Sequence, residues 1–148
     1  MAYFPTDMPR AEPDFNDREY WAHLGRRELR FQACGQCGTL RHPPGPMCPK
    51  CLSTEVTWVA APAQATLFTF TVVHHASHPA VAGKLPYVVG LVEFEGLPGV
   101  RLVSNLTDVD PQAVRIGMPL ALWWDDTGEG QVVPRFRPAA ATPERGAT

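Results

Sequence analysis

From Val56 onward, apolar and polar positions alternate with the period of two that marks strands with one buried face. Val56-Thr57-Trp58 is the first such piece, and the longest runs from Thr66 to His74 (TLFTFTVVH). Tyr87 to Phe94 (YVVGLVEF), Val100 to Leu106 (VRLVSNL), Leu120 to Trp124 and Gln131 to Phe136 follow. Turn formers separate them: Pro79, Gly83, Gly96-Leu97-Pro98-Gly99, Asp110-Pro111 and Gly128-Glu129-Gly130. About five strands in roughly 75 residues fit a small barrel or a small sandwich, and pattern alone does not choose between them.

Upstream the period changes. Asn16-Asp17-Arg18-Glu19 reads as a helix start, with Asn16 as N-cap and Glu19 at the capping-box position. Tyr20, Trp21 and Leu24 follow, and Gly25 suits the C-cap, so the helix spans about ten residues or fewer. Beyond it, Leu29 and Phe31 alternate with Arg30 and Gln32, which predicts a strand leading into a cysteine pair.

Composition narrows the class. The chain has 148 residues, which favours one domain or one small domain with an attached module. Its 16 prolines are about twice the usual share, and interior proline breaks helices, so a long helical bundle is excluded. They cluster at Pro5, Pro9 and Pro13, from Pro43 to Pro49, and at Pro134, Pro138 and Pro143. With a net charge of -2 and 19% charged residues, nothing invites nucleic acid or an anionic membrane. No apolar run is long enough to span a bilayer, and MAYFPTDMPR lacks the apolar core of a secretion signal, so a cytoplasmic protein is expected. The last ten residues read as a flexible tail.

All four cysteines fall in one segment, Cys34-Gly35-Gln36-Cys37 and, ten residues on, Cys48-Pro49-Lys50-Cys51. Two Cys-x-x-Cys knuckles can set four thiolates tetrahedrally around Zn²⁺, with backbone N–H groups turned toward the sulfurs. Gly35 and Gly38 permit the left-handed backbone that such a turn wants. Disulfides would need an oxidising compartment, which no signal sequence supports. A single iron in the same sulfur cage is not distinguished by ligand type. Four cysteine ligands leave no open coordination position, so the metal is structural, and it consumes every thiol in the chain.

Other candidates have plainer readings. His74 and His75 point to opposite faces of a strand and with His78 read as a strand end and loop; His23 and His42 read as structural. Asp125, Asp126 and Glu129 read as solvating a hairpin turn beside Gly128 and Gly130. Trp123-Trp124 places one indole on each face of its strand, one for the core and one for a partner surface. Arg26, Arg27 and Arg30 form a basic edge that could meet a phosphate. No Gly-x-Ser-x-Gly elbow, His-Glu-x-x-His pair, phosphate loop or dinucleotide fingerprint occurs. A ribbon joined to a barrel invites a nucleic-acid reading, the alternative kept here. Residues 62–138, however, carry five Lys and Arg against seven acids, where a phosphate-tracking groove should be positive.

Several motifs recur in a familiar order: Tyr20-Trp21, Cys34-Gly35-Gln36-Cys37-Gly38, the proline-rich His42 to Cys51, and Thr71-Val72-Val73-His74. Leu85-Pro86-Tyr87-Val88-Val89-Gly90-Leu91-Val92, Leu102-Val103-Ser104-Asn105-Leu106, Ile116-Gly117-Met118-Pro119-Leu120 and Pro134-Arg135-Phe136-Arg137-Pro138 complete it. Across about residues 14–138 the chain resembles the OB-fold and zinc-ribbon family catalogued as domain of unknown function 35. Leu52 departs from it, since relatives often carry Gly after the last cysteine.

The resemblance implies a mainly β chain: an N-terminal arm and short helix (1–32), a rubredoxin-like zinc ribbon (33–61), a five-stranded OB-fold barrel (62–138) and a tail (139–148). It implies a non-catalytic subunit of a thiolase-superfamily enzyme (thiolase, retro-aldolase or acyltransferase), in a hetero-oligomer around a partner dimer. Such a subunit would help hold or channel acyl-CoA. A free-standing acyl-CoA carrier is a further alternative. On this reading Cys34, Cys37, Cys48 and Cys51 hold structural zinc, Arg26, Arg27, Lys84 and Arg135 contact CoA, and Tyr20, Trp21 and Phe136 meet the partner.

Overall fold

The computed structural model describes residues 1–140. The expected tail falls almost wholly outside them. A helix, α1 (Arg18–Gly25), precedes a ribbon sheet of β1 (Arg30–Cys34), β2 (Leu40–Arg41) and β3 (Val56–Ala60). Five longer strands follow: β4 (Gln64–Val73), β5 (Tyr87–Glu93), β6 (Arg101–Leu106), β7 (Pro119–Gly128) and β8 (Gln131–Pro138). Short 3-10 turns occupy Pro79–Lys84 and Pro111–Ala113. Among the described residues, no helix is long and apolar enough to cross a membrane.

The ribbon is antiparallel in the order β2-β1-β3, and the second sheet closes in the order β4-β5-β6-β8-β7. Closure decides between barrel and sandwich, and β4 is the reason. Its first residues pair with β7 (Gln64↔Ala121, Ala65↔Leu120) and its remainder with β5, through a register shift between Leu67 and Thr69. A bulge of this kind bends a strand enough to serve both sides of a barrel. The last contact is parallel, β6 on β8, through the single registered pair Leu106↔Phe136. This strand order is that of a five-stranded OB-fold barrel.

The barrel interior is filled by Leu67, Val88, Val92, Leu102, Leu106, Leu120 and Phe136, all buried. It leaves no spare volume: a Cβ on Gly90 would lie 2.2 Å from Leu106 Cδ1. Aromatic rings carry this core into the ribbon. Phe136 meets Phe94 at 6.0 Å between centroids, and Phe94 meets Phe31 of β1 at 5.3 Å. From the other side α1 buries Tyr20 and Leu24.

The helix starts later than the capping pattern predicts. Asp17, not Asn16, is the N-cap, and its side chain makes no cap bond. The local acids are otherwise engaged: Asp14 accepts the Asn16 and Asp17 N–H groups, while Asp17 accepts the Asp14 N–H and the Trp21 indole N–H. The C-cap is Arg26, and Arg27 takes the left-handed turn (φ 59°).

Asp125 also departs from expectation. It does not solvate the hairpin but lies 1% exposed, with Arg135 Nε donating to it at 2.6 Å. Arg135 is also buried and donates from Nη1 to Asn105 of β6. The N-terminal arm completes this unit. The Tyr3 N–H donates to Asp125 at 3.2 Å, and the Tyr3 and Phe4 rings lie 5.3 and 5.1 Å from the Arg135 guanidinium. Further along, Arg10 pairs with Glu129, and Ala11 exchanges two hydrogen bonds with Gln131. Asp126 keeps the turn role, accepting the Gly128 N–H at 3.0 Å, and Glu129 stays exposed at the turn.

Removing one member of a buried pair leaves the other charge without compensation, which costs about 3–5 kcal/mol. Asp125→Asn should therefore destabilise the zinc-loaded protein by about that much in urea unfolding. The double change Asp125→Leu with Arg135→Met should recover at least half, because no charge is then stranded.

Candidate metal centre and neighbouring surfaces

The four cysteine sulfurs lie within 4.8 Å of one another. Cys34 and Cys51 Sγ are 3.5 Å apart and Cys37 and Cys48 Sγ 3.6 Å, so the thiols are unbonded. Tetrahedral zinc with Zn–S near 2.3 Å places its sulfurs about 3.8 Å apart, so the quartet fits that ion.

The two knuckles are built alike. Gly38 N–H donates to the Cys34 carbonyl as Leu52 N–H does to that of Cys48. Cys34 N–H donates to the Thr39 carbonyl as Cys48 N–H does to that of Ser53. The residue after each second cysteine then takes the left-handed conformation, Gly38 at φ 73° and Leu52 at φ 64°. That explains why glycine suits the Leu52 position. Gly35 has a different role from the one expected: it is not left-handed, and a Cβ there would come within 3.0 Å of Glu55 Cβ.

The electrostatics call for a cation. Backbone N–H groups of Cys37 and Gln36 hold the Cys34 thiol below its usual pKa, and those of Cys51 and Lys50 do the same for Cys48. Thr39 lowers Cys37. Cys51 goes the other way, to about 12: the Ser53 N–H lowers it, but burial and the three neighbouring sulfurs outweigh that bond. Three sulfurs are thus favoured as thiolates and the fourth is disfavoured, an imbalance that a shared cation relieves. With four sulfur ligands no coordination position stays open.

The other candidate residues do not converge on one site. Arg26 and Arg27 are exposed on the turn after α1, where Arg26 meets His23 Nδ1 at 2.7 Å and Glu28 at 3.8 Å. Lys84 sits 5.2 Å above the Tyr3 ring. Arg135 lies on the same ring, but it is 7% exposed and its charge is already paired with Asp125, which disfavours it as a contact for a CoA phosphate. Phe136 is fully buried in the barrel and Tyr20 is 6% exposed under α1, so neither offers a partner any surface. The alternation put Phe136 on a strand face without saying which face was inward. Trp21 is half-buried. Trp124 packs on the core, and Trp123 is half-buried with its indole N–H on Thr107 Oγ1 at 2.9 Å.

His74 and His75 are exposed, while His78 Nδ1 accepts the Ala80 N–H in a 3-10 turn. His42 is sandwiched between the Tyr20 and Phe31 rings, each 5.1 Å away between centroids. Burial lowers its pKa from 6.5 to about 4. It borders a groove of about 530 Å³ between α1, the ribbon loop and the barrel, which sequence reasoning did not find. The lining comes from seven separate segments, a convergence that no local pattern announces.

Two family models match this architecture: the ChsH2 rubredoxin-like zinc ribbon domain over residues 21–57 and the ChsH2 C-terminal OB-fold domain over residues 58–125. A chain of the solved Ltp2–ChsH2(DUF35) aldolase superposes with a TM-score of 0.81 at 39% identity, covering 88% of this chain and 100% of that one. The chain belongs to the DUF35 family. Its ribbon is accordingly a zinc ribbon, and the quartet is its structural zinc site. A DUF35 domain-containing scaffold protein of Methanocaldococcus jannaschii is 32% identical over 100 residues, 66% of this chain and 69% of the relative. A probable enoyl-CoA hydratase alpha subunit of Thermomonospora curvata is 41% identical over 137 residues, 91% of this chain. This DUF35 chain spans only 42% of the hydratase subunit's length.

Cys48→Ser should purify with little zinc and melt about 10 °C or more below the parent, because the folding energy of a ribbon is largely metal binding. Metal analysis and a thermal melt check both. His42 makes a separate prediction. The unfolded chain protonates it near pH 6.5, the folded chain only near 4, so acid favours unfolding across that window. Stability present above pH 6.5 should fall by on the order of 2 kcal/mol toward pH 4. His42→Phe should flatten that part of the profile, and the difference between the two profiles removes the acid sensitivity shared through the thiolates.

Proposed function

We propose that this chain is a non-catalytic accessory subunit of a thiolase-superfamily acyl-CoA enzyme that forms or cleaves a C–C bond. The observation that carries this reading is the likeness to the ChsH2(DUF35) chain of the Ltp2 aldolase along that chain's whole length. The chemistry of this chain agrees with it. Its four thiols are gathered in a closed metal site, which leaves no cysteine nucleophile and no open metal position.

Docking falls to the helix and ribbon end. Phe15, Met47, Leu52 and Val56 are exposed there, and Phe15 is 77% accessible. Clustered exposed apolar side chains mark contact surfaces. Of the four cations expected to contact CoA, Arg26, Arg27 and Lys84 are exposed and able to meet its phosphates. A nucleic-acid reading has one feature in its favour, the Arg101 guanidinium 3.6 Å over the Phe68 ring. Glu93 lies 3.8 Å from that guanidinium, and acids outnumber bases across the barrel, which weighs against a phosphate backbone there.

Co-expression with a thiolase-superfamily enzyme of the same organism should yield a complex that survives size exclusion. Phe15→Asp combined with Val56→Asp should abolish co-purification while zinc content and melting temperature hold. A chain that elutes as a well-behaved monomer and leaves the enzyme untouched would sink the proposal.

A further inference from the structure

The groove bordered by His42 belongs neither to the zinc site nor to the docking face. It exists because of the barrel's last seam. With one registered pair joining β6 to β8, Leu102–Asn105 of β6 makes no ladder pairs with β8, and the groove opens there between the two strands and α1. Phe4 and Met8 of the N-terminal arm close the outer side. The arm is pinned by Tyr3 to Asp125 and by Phe4 edge-on to Tyr87 at 5.4 Å, so this wall is built rather than incidental. A volume of about 530 Å³ lies within the range of about 300–1,000 Å³ typical of small-molecule sites.

Donors from two different elements, α1 and β8, line this mostly apolar space. Tyr20 is nearly wholly buried, yet its hydroxyl has no hydrogen-bond partner among the described residues, and burial alone raises its pKa. His42 borders the groove with its ring, while its Nδ1 is shut off from solvent. Arg135 spends Nε on Asp125 and Nη1 on Asn105, which leaves Nη2 without a partner among the described residues. The Tyr20 hydroxyl and Arg135 Nη2 are therefore free to donate to an occupant of the groove. Water can complete the bonds but gains nothing from the apolar walls between them.

Charge selects the occupant. Asp125 neutralises Arg135, and Asp17 stands at the groove, so the lining offers hydrogen-bond donors without net positive charge. Arg26, Arg27 and Lys84 are not among the lining residues. A phosphate or carboxylate would meet the Asp17 carboxylate and one cation already paired.

We propose that this groove binds an uncharged, mainly apolar small molecule through a ketone, ester or hydroxyl oxygen, with Tyr20 and Arg135 as donors. The site is a property of the lone chain and does not rest on the accessory-subunit reading.

The test is a fluorescence titration of the zinc-loaded chain with Nile red, an uncharged fused-ring dye with one carbonyl. Saturable one-to-one binding in the micromolar range is expected, unchanged by an equal concentration of free coenzyme A. Tyr20→Phe should weaken it about three- to ten-fold with the fold intact, the loss expected for one hydrogen bond. Val89→Trp, which fills the groove from β5, should abolish it; zinc content and melting temperature show whether that variant is folded. Unsaturable binding, or binding that Tyr20→Phe leaves unchanged, overturns the site. Displacement by coenzyme A alone overturns the assignment of an uncharged ligand. A failed titration leaves the co-purification result standing, and the reverse also holds.

Discussion

Four thiolates gathered within 4.8 Å repel one another, and only a shared cation makes their proximity favourable. The ribbon depends on that exchange, because its sheet of two- and five-residue strands encloses almost no core of its own. What the metal secures is the pairing of β1 with β3, and through it the position of Phe31. That ring is fully buried between His42 of the ribbon loop and Phe94 at the end of β5. The metal thus acts at a distance: by holding the ribbon it sets one face of the core that the barrel and α1 share.

A second device holds the other end. The Asp125–Arg135 pair lies on adjacent strands of the β7–β8 hairpin, reaches Asn105 on β6, and receives the Tyr3 N–H from the arm. Both charges are nearly or wholly out of water, so their attraction must offset a large desolvation cost. The extra hydrogen bonds and the two aromatic rings over the guanidinium make that balance favourable. This arrangement ties β8 to β6 where the ladder itself supplies one registered pair.

Legibility followed the range of the interactions. Period-two alternation located the barrel strands, because each has one face inward. Cysteine spacing announced the metal site, because each knuckle is a local turn. Left-handed Leu52 shows how local that information is: the departure from glycine was visible in the chain, and its φ supplies the reason. The rest was set by long-range contacts. Closure depends on a bulge between Leu67 and Thr69 that alternation does not mark. Asp125 beside Gly128 looked like a turn residue until its partner ten positions later was brought opposite, close to Trp124 and Pro134 in register. Tyr20 and Phe136 carried the chemistry of contact residues, and only packing shows that their contacts are internal.

Charge placement separates what this chain can do at its different surfaces. Among its accessible cations, Arg26 and Arg27 lie on the turn after α1 and Lys84 beside Tyr3, where water screens them and a phosphate can approach. The cation beside the groove is already neutralised by Asp125, so that space favours apolar bulk and hydrogen bonding over charge. An occupant bearing both a phosphorylated end and an uncharged end would therefore be sorted by polarity along the surface. Such sorting needs no nucleophile. It needs rigid walls, and the zinc ribbon, the pinned arm and the helix each supply one.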